Sequence, residues 1–411
     1  MAHTELQGNN CEGHREDQHH REFHTENSSD VPTSGEKNNS TFKPSEPKDE
    51  SPTLPRQEAM QSLKEDKGVT GLANMRNTCY MNAALQALRH NTEISAFFLE
   101  NRFQQWIQKK PDSQKVELVK AYADLLRSLW SASKPAYVRP TGFIQSMIPA
   151  AVQAGFEQFQ VPLQHDSHEF LTFLLDQLHE GMAEEVNIEI NRPAPRTEQD
   201  KAIQNALEAW KRIFSKQYSP FTEMIYGLFR TTVTCESCKA TSDSWETFNC
   251  LKLHFHSGDC SLESMLKEEF QPETIEGYAC EKCQPTRTTA TKQTRIWRLP
   301  RMVVISLKRF TMDGKKLYTN FQMPSNNTLL FKPFFSTESP EPSQYQPYEC
   351  FASVDHHGSA GGGHYTAQAK SPLTDKWHHF DDETASSINE PQFGISNYIL
   401  FFKPSSKAAE A

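Results

Sequence analysis

Two Cys-x-x-Cys pairs, Cys235–Cys238 and Cys280–Cys283, constrain this chain more than any other feature of its sequence. Four thiolates at this spacing close a tetrahedral shell with no open position, so the ion they predict is a structural Zn2+. Such a site draws two distant stretches of backbone together and demands a ribbon-like fold around it. A redox dithiol is the competing reading, but it needs one pair only and a thioredoxin-like context. The chain has 9 cysteines, an odd count that suits metal ligation in a reducing compartment better than a disulfide framework. Cys250 and Cys260 lie between the pairs at no ligand spacing and are expected to be packing residues.

The 411 residues, 36% hydrophobic and 23% charged, suffice for one large globular domain plus a polar extension. Residues 1–68 are rich in Glu, Asn, Ser and Pro, with Phe23 and Phe42 as their aromatics. That segment cannot bury enough apolar surface to offset its ordering entropy and is expected to be disordered. His14, His19, His20 and His24 within it have no fixed scaffold on which to hold a metal. From Gly71 the composition becomes that of a folded domain and stays so to Pro404, giving a domain over 69–405 and a short tail, 406–411. No run of about 18 apolar residues occurs and the first residues lack a secretory pattern. A monomeric intracellular protein of the cytoplasm or nucleus, without a membrane partner, is therefore expected. Asn27 and Asn39 open glycosylation patterns that are expected to be silent there. The net charge of -9 argues against a nucleic-acid binder, which shows a basic stripe, and suits a basic ligand.

After Cys79, the residues Met81, Ala84, Leu85 and Leu88 recur at offsets of three and four, which predicts a helix starting near Thr78. Asp166-Ser167-His168-Glu169 opens a second helix with a capping-box-like start, and Phe170, Phe173, Leu174 and Leu178 form its apolar stripe. Further on, RMVVISLKRF, YECFASVDHH, HYTAQAK, KWHHF and YILFFK read as strands. Helices followed by strands indicate an α+β fold. The stretches 191–202 and 324–347 read as surface loops.

A thiolate is the reactive form of cysteine, and a helix N-terminus at Cys79 is expected to lower its pKa from about 8.5. Asn74, on the incoming loop, has an amide suited to a developing oxyanion. Gly361-Gly362-Gly363-His364 sets a histidine at a strand start behind a flexible glycine loop, and Asp381-Asp382 follow after Trp377 and Phe380. A carboxylate there is able to fix the imidazole tautomer and support the imidazolium.

The segment from Gly71 to Asn82 resembles the cysteine box of the ubiquitin-specific proteases, a papain-like family of deubiquitinating enzymes. GGGHYTA followed by WHHFDD resembles the histidine box of the same family, and LQHDSHEFL its helix segment. The resemblance implies a papain-like α+β fold with thumb, palm and zinc-ribbon fingers, the fingers at about 221–300. It implies Cys79 as nucleophile, His364 as general base and acid, Asp381 as its orienting residue, and Asn74 and Asp382 at the oxyanion. The channel for ubiquitin's basic tail would be bordered by Gln164, Asp166, Glu169, Phe310 and Tyr365. Ubiquitin and ubiquitinated proteins are the implied partners, the zinc of the ribbon is structural, and no catalytic cofactor is implied. The family usually carries glycine where this chain has Arg76. A guanidinium there is expected either to help ionise the thiol or to crowd the channel and repel a cationic tail. Two other readings fit the same motifs: a weakly active or inactive ubiquitin-binding protein, and a protease for another ubiquitin-like modifier.

Overall fold

The computed structural model of the chain describes residues 68–131, 133, 135–256 and 260–405. The expected extension, apart from Gly68, and the tail 406–411 lie outside the described residues. A short strand β1 (Gly71–Leu72) leads into helices α1 (Cys79–Arg89), α2 (Thr92–Leu99), α3 (Gln104–Ile107) and α4 (Gln114–Leu129). Strand β2 (Tyr137–Val138) pairs in parallel with β1 and is followed by α5 (Thr141–Gln153), α6 (Ser167–Met182), α7 (Glu198–Phe214) and α8 (Pro220–Ile225). The second half is mostly strand: β3 (Gly227–Cys235), β4 (Thr241–Phe248), β5 (Leu251–Leu253), then α9 (Leu262–Glu269), β6 (Glu273–Tyr278) and β7 (Thr288–Arg298). It ends with β8 (Val303–Leu307), β9 (Thr328–Leu329), β10 (Tyr348–Ser359), β11 (Gly362–Lys370), β12 (Trp377–Asp381), β13 (Thr384–Ile388) and β14 (Asn397–Pro404). No helix among the described residues is long and apolar enough to cross a membrane.

The α+β expectation holds, with most helices in the first half of the chain and the strands of two sheets in the second. The larger sheet has the order β13-β12-β11-β10-β14-β8-β5, with β9 added to β10, and is antiparallel except for β5 against β8. A separate sheet, β4-β3-β7-β6, is antiparallel throughout. The sequence pattern gave α1 one apolar face, yet all of its residues are buried, because α6 covers one side and β10 and β11 the other. Arg89 at its end is 0% exposed. Its guanidinium lies over the rings of Trp130 and Phe380, donates to the carbonyl of Gly68, and burial holds its pKa down at about 9.

Asp166 caps α6 by accepting from the backbone N–H groups of His168 and Glu169. The second half of the capping box is absent, since Glu169 accepts from Gln158 instead. The stripe residues Phe170, Phe173, Leu174 and Leu178 are all fully buried, each contributing about 1.5–3 kcal/mol of transfer free energy. Two loop expectations need correction. Residues 198–202 are helical, because Thr197 and Asp200 form a complete capping box that starts α7 inside the stretch read as loop. The stretch 324–347 contains β9 and anchors itself through Phe331, Phe334 and Phe335, which are buried in the core under the sheet. After β8 the buried Arg309 donates to the carbonyls of Asn397, Leu317, Thr319 and Gly394, pinning the following loop, and Phe310 with it, beside β14.

Candidate active site and metal centre

Strand β3 ends at Cys235, and its turn into β4 carries Cys238; the β6–β7 turn carries Cys280 and Cys283. Because β3 pairs with β7, both turns emerge at the same end of the sheet. The four sulfurs lie within 4.8 Å of one another, with Cys235 to Cys283 at 3.9 Å and Cys238 to Cys280 at 3.5 Å. The edge of a tetrahedron with metal–sulfur bonds of about 2.3 Å is about 3.8 Å, so the cluster fits one metal ion. Cys250 and Cys260 stay outside it, as expected. Cys260 is buried in the core, and Cys250 Sγ lies 3.3 Å from His168 Nε2.

The second constellation forms where α1 meets β11 and the β12–β13 turn. Cys79 is the first residue of α1 and is 2% exposed. Its sulfur is approached by the backbone N–H groups of Tyr365 and Tyr80, which favour the thiolate. Burial outweighs them, with the Asp382 carboxylate adding to the effect, and the Cys79 thiol is pushed up from its ordinary value. The lowering expected from the helix N-terminus alone is thus overturned in the resting state.

His364 precedes Tyr365 on β11, and its Nε2 lies 2.6 Å from Asp381 Oδ1, at the end of β12. Among the described residues no hydrogen bond joins His364 to Cys79; such contacts commonly tighten only when substrate binds. The glycine loop is shorter than expected. Gly362 and Gly363 belong to β11 and pair with Ser359 and Gly358. A Cβ on Gly363 would lie 2.3 Å from the His357 carbonyl oxygen, so the residue is needed for close strand packing.

Asn74 and Asp382 are brought into direct contact. Asn74 Nδ2 donates to Asp382 Oδ2 at 2.8 Å, while Asn74 Oδ1 accepts from the Thr78 backbone N–H at 3.1 Å. The amide oxygen and one N–H are therefore committed, leaving the second N–H of Nδ2 for another acceptor. Asn82 Nδ2 takes the other oxygen of Asp382 at 2.7 Å, and Glu383 accepts from the Asn74 backbone N–H at 2.9 Å. Asp382 itself has φ +45°, a turn conformation that aims its carboxylate back at the cysteine loop.

The candidate channel residues fall into two groups. Asp166 Oδ2 accepts from the Tyr398 hydroxyl at 2.6 Å, and the Tyr398 ring packs on Phe310 and Tyr365. Gln164 instead clamps Gly363, accepting from its N–H at 2.9 Å and donating to its carbonyl at 2.6 Å. Glu169 joins neither group. Tyr398, Asn82 and Glu383 escaped the sequence reading; only the position of Tyr398 at the head of the YILFFK strand and of Asn82 one turn into α1 hinted at them.

Arg76 and Asn77 have φ +72° and +56°, the left-handed region in which glycine alone carries no Cβ penalty. The usual glycine at this position thus has a backbone cause. Arg76 is exposed and has no ion pair among the described residues.

A family model described as ubiquitin carboxyl-terminal hydrolase matches residues 70–402. Ubiquitin carboxyl-terminal hydrolase 2 of Rattus norvegicus is 28% identical over 367 residues, covering 85% of this chain and 56% of that protein. The Gallus gallus protein of the same description is 29% identical over 365 residues, 85% of this chain and 97% of its own length. The chain thus spans little more than half of the rat relative. Among solved structures, a chain of the SAGA Ubp8/Sgf11/Sus1/Sgf73 DUB module bound to ubiquitin aldehyde has the same fold, with a TM-score of 0.60, 24% identity, and coverage of 83% of this chain and 70% of that one. Since the matched segment runs from the residue before β1 to the interior of β14, taking in Cys79, the four-cysteine cluster and His364, the chain belongs to the ubiquitin carboxyl-terminal hydrolase family.

Proposed function

We propose that the protein is a thiol-dependent isopeptidase that hydrolyses the bond at the C-terminal glycine of ubiquitin, in conjugates or linear fusions, through a thioester on Cys79. One observation carries the reading: His364, held by Asp381 at 2.6 Å, lies on the strand whose next backbone N–H, that of Tyr365, meets the Cys79 sulfur. Asp381 holds Nε2 of the imidazole, leaving Nδ1 to take the thiol proton once substrate draws His364 and Cys79 together. The thiolate attacks the glycine carbonyl, and the oxyanion is held by Asn74 Nδ2 and the backbone N–H at Cys79. Asp382 orients Asn74. The imidazolium then gives its proton to the departing lysine amine, and the same nitrogen activates the water that cleaves the thioester and restores the thiol.

Asp166, Glu169, Phe310, Tyr365 and Gln164 border the channel for ubiquitin's tail in this reading. The solved Ubp8 module, bound to ubiquitin aldehyde, supports ubiquitin as the modifier. Cys235, Cys238, Cys280 and Cys283 hold a structural Zn2+, a reading supported by the sulfur spacing and the all-thiolate donor set. When bound, the ion clamps the two turns at the tip of the fingers. The protein acts as a monomer in the cytoplasm or nucleus, with 69–405 as its catalytic domain.

Ubiquitin carrying a C-terminal thiol-reactive electrophile tests the reading. The expected outcome is an adduct on the peptide containing Cys79, lost in Cys79→Ser. Ubiquitin binding without an adduct would make the chain a binding protein. An adduct with a different modifier alone would reassign the substrate.

A further inference from the structure

Beside the cysteine loop lies a cavity of about 210 Å³, walled by Met75, Ile144, Ile148, Phe159 and Val161, with Arg76 at its edge. Arg76 is the one charged side chain among its described lining residues. Val161 and Leu163 on its rim are 47% and 59% exposed. Its two walls are tied together, since Asn77 Nδ2 donates to the Pro162 carbonyl at 2.9 Å. None of Asp166, Glu169, Phe310, Tyr365 or Tyr398 lines it. The cavity and those five residues thus share no wall.

Arg76 stands three residues before Cys79, so its Cα lies within about 10 Å of the nucleophile along the chain. The guanidinium is presented on a left-handed backbone, at a cost glycine would avoid. It stays exposed and without an ion pair among the described residues, over an apolar hollow. An unpaired cation beside apolar walls matches an acidic side chain next to an apolar one. The modifier's tail is basic, so like charge makes it a poor match for this site. What passes Cys79 on the other side of the scissile bond is the polypeptide that carries the departing lysine.

The geometry points to a leaving-group subsite in which Arg76 pairs with an acidic residue, and the cavity takes an adjacent apolar residue, of the protein from which the modifier is removed. Arg76 is then a specificity residue for the conjugated protein, resting on the isopeptidase reading above. Its position where the family usually has glycine makes the preference a property of this chain.

The test uses ubiquitin joined by an isopeptide bond to the lysine of matched peptides that carry Glu-Leu, Gln-Leu or Lys-Leu beside that lysine. The wild-type protein should show kcat/KM about fivefold higher for the Glu-Leu than for the Gln-Leu conjugate. The ratio should shrink at high salt, fall to about one in Arg76→Gln, and turn in favour of Lys-Leu in Arg76→Glu. Turnover of Glu-Leu and Gln-Leu conjugates at equal rates, or a ratio untouched by Arg76→Gln, overturns the subsite and leaves the isopeptidase standing. Absence of both turnover and binding of every conjugate overturns the isopeptidase reading and the subsite with it.

Discussion

Removal of Asn74 and Asp382, singly and together, probes the oxyanion side of the site most directly. Asn74 Nδ2 reaches Asp382 at 2.8 Å while Asn74 Oδ1 is held by Thr78, so the carboxylate acts on the reaction by aiming the amide. Deleting an oxyanion donor costs about 10²–10³ in kcat, roughly 3–4 kcal/mol of transition-state stabilisation. Asn74→Ala should lose that much. Asp382→Ala removes one charge-assisted hydrogen bond from Asn74, worth about 1.5–3 kcal/mol, so a loss of about 10–100-fold is expected. If Asp382 works through Asn74, the double variant should be little worse than Asn74→Ala, with a coupling of about 1.5 kcal/mol or more. The assay is steady-state release of a fluorogenic amine from the ubiquitin C-terminus, with urea unfolding as a parallel measure because Asp382 also holds Asn82 at 2.7 Å. Strictly additive losses, or Asn74→Ala within twofold of wild type, would refute the arrangement.

Three further outcomes are expected. Cys280→Ser should abolish stoichiometric zinc, measured by metal analysis, and amide exchange protection should drop around the β3–β4 and β6–β7 turns; retained zinc would count against the four-sulfur site. Gly71→Ala would set a Cβ 2.2 Å from the Glu383 carbonyl oxygen and 2.7 Å from that of Asp382. Stability should fall by about 1–3 kcal/mol and kcat/KM should fall with it, since the displaced turn orients Asn74; wild-type values for both would contradict the close packing. Burial holds the His179 pKa at about 4, and that of His356 also at about 4. The unfolded chain, with histidines near 6.5, takes up these protons first as the pH falls. Their contribution to stability is therefore complete above about pH 6.5 and is lost toward pH 4. For His179, which is 4% exposed, the loss by pH 5 is about 2 kcal/mol. Unfolding midpoints at pH 7 and 5 should diverge less in His179→Gln, and an unchanged divergence would exclude His179 as a source.

Local rules made much of the scaffold legible in the sequence. Apolar periodicity marked α1 within a residue of its true start, and Asp166 marked the cap of α6. The β-branched and aromatic runs marked β8, β10, β11, β12 and β14. Thr197–Asp200 was a capping signal of the same kind, but it lay inside a Pro-rich stretch that reads as loop. Phe331, Phe334 and Phe335 carried no helix or strand period, because they are buried one by one around a single short 3-10 turn, Lys332–Phe334.

The sequence by itself determined the cast of the site: the spacing of four thiols, a cysteine opening a helix, a histidine following glycines, and paired acids at a strand end. These are properties of neighbouring residues, and backbone geometry reads them locally. Tertiary structure alone decided who meets whom. Tyr398 reaches Asp166, Gln164 clamps Gly363, and Asn74 and Asn82 share Asp382 across about three hundred residues of chain. It also reversed the electrostatics of Cys79. A helix N-terminus favours the thiolate, but desolvation grows with everything packed around the sulfur, and only the folded chain brings α6, β11 and the Asp382 turn against it.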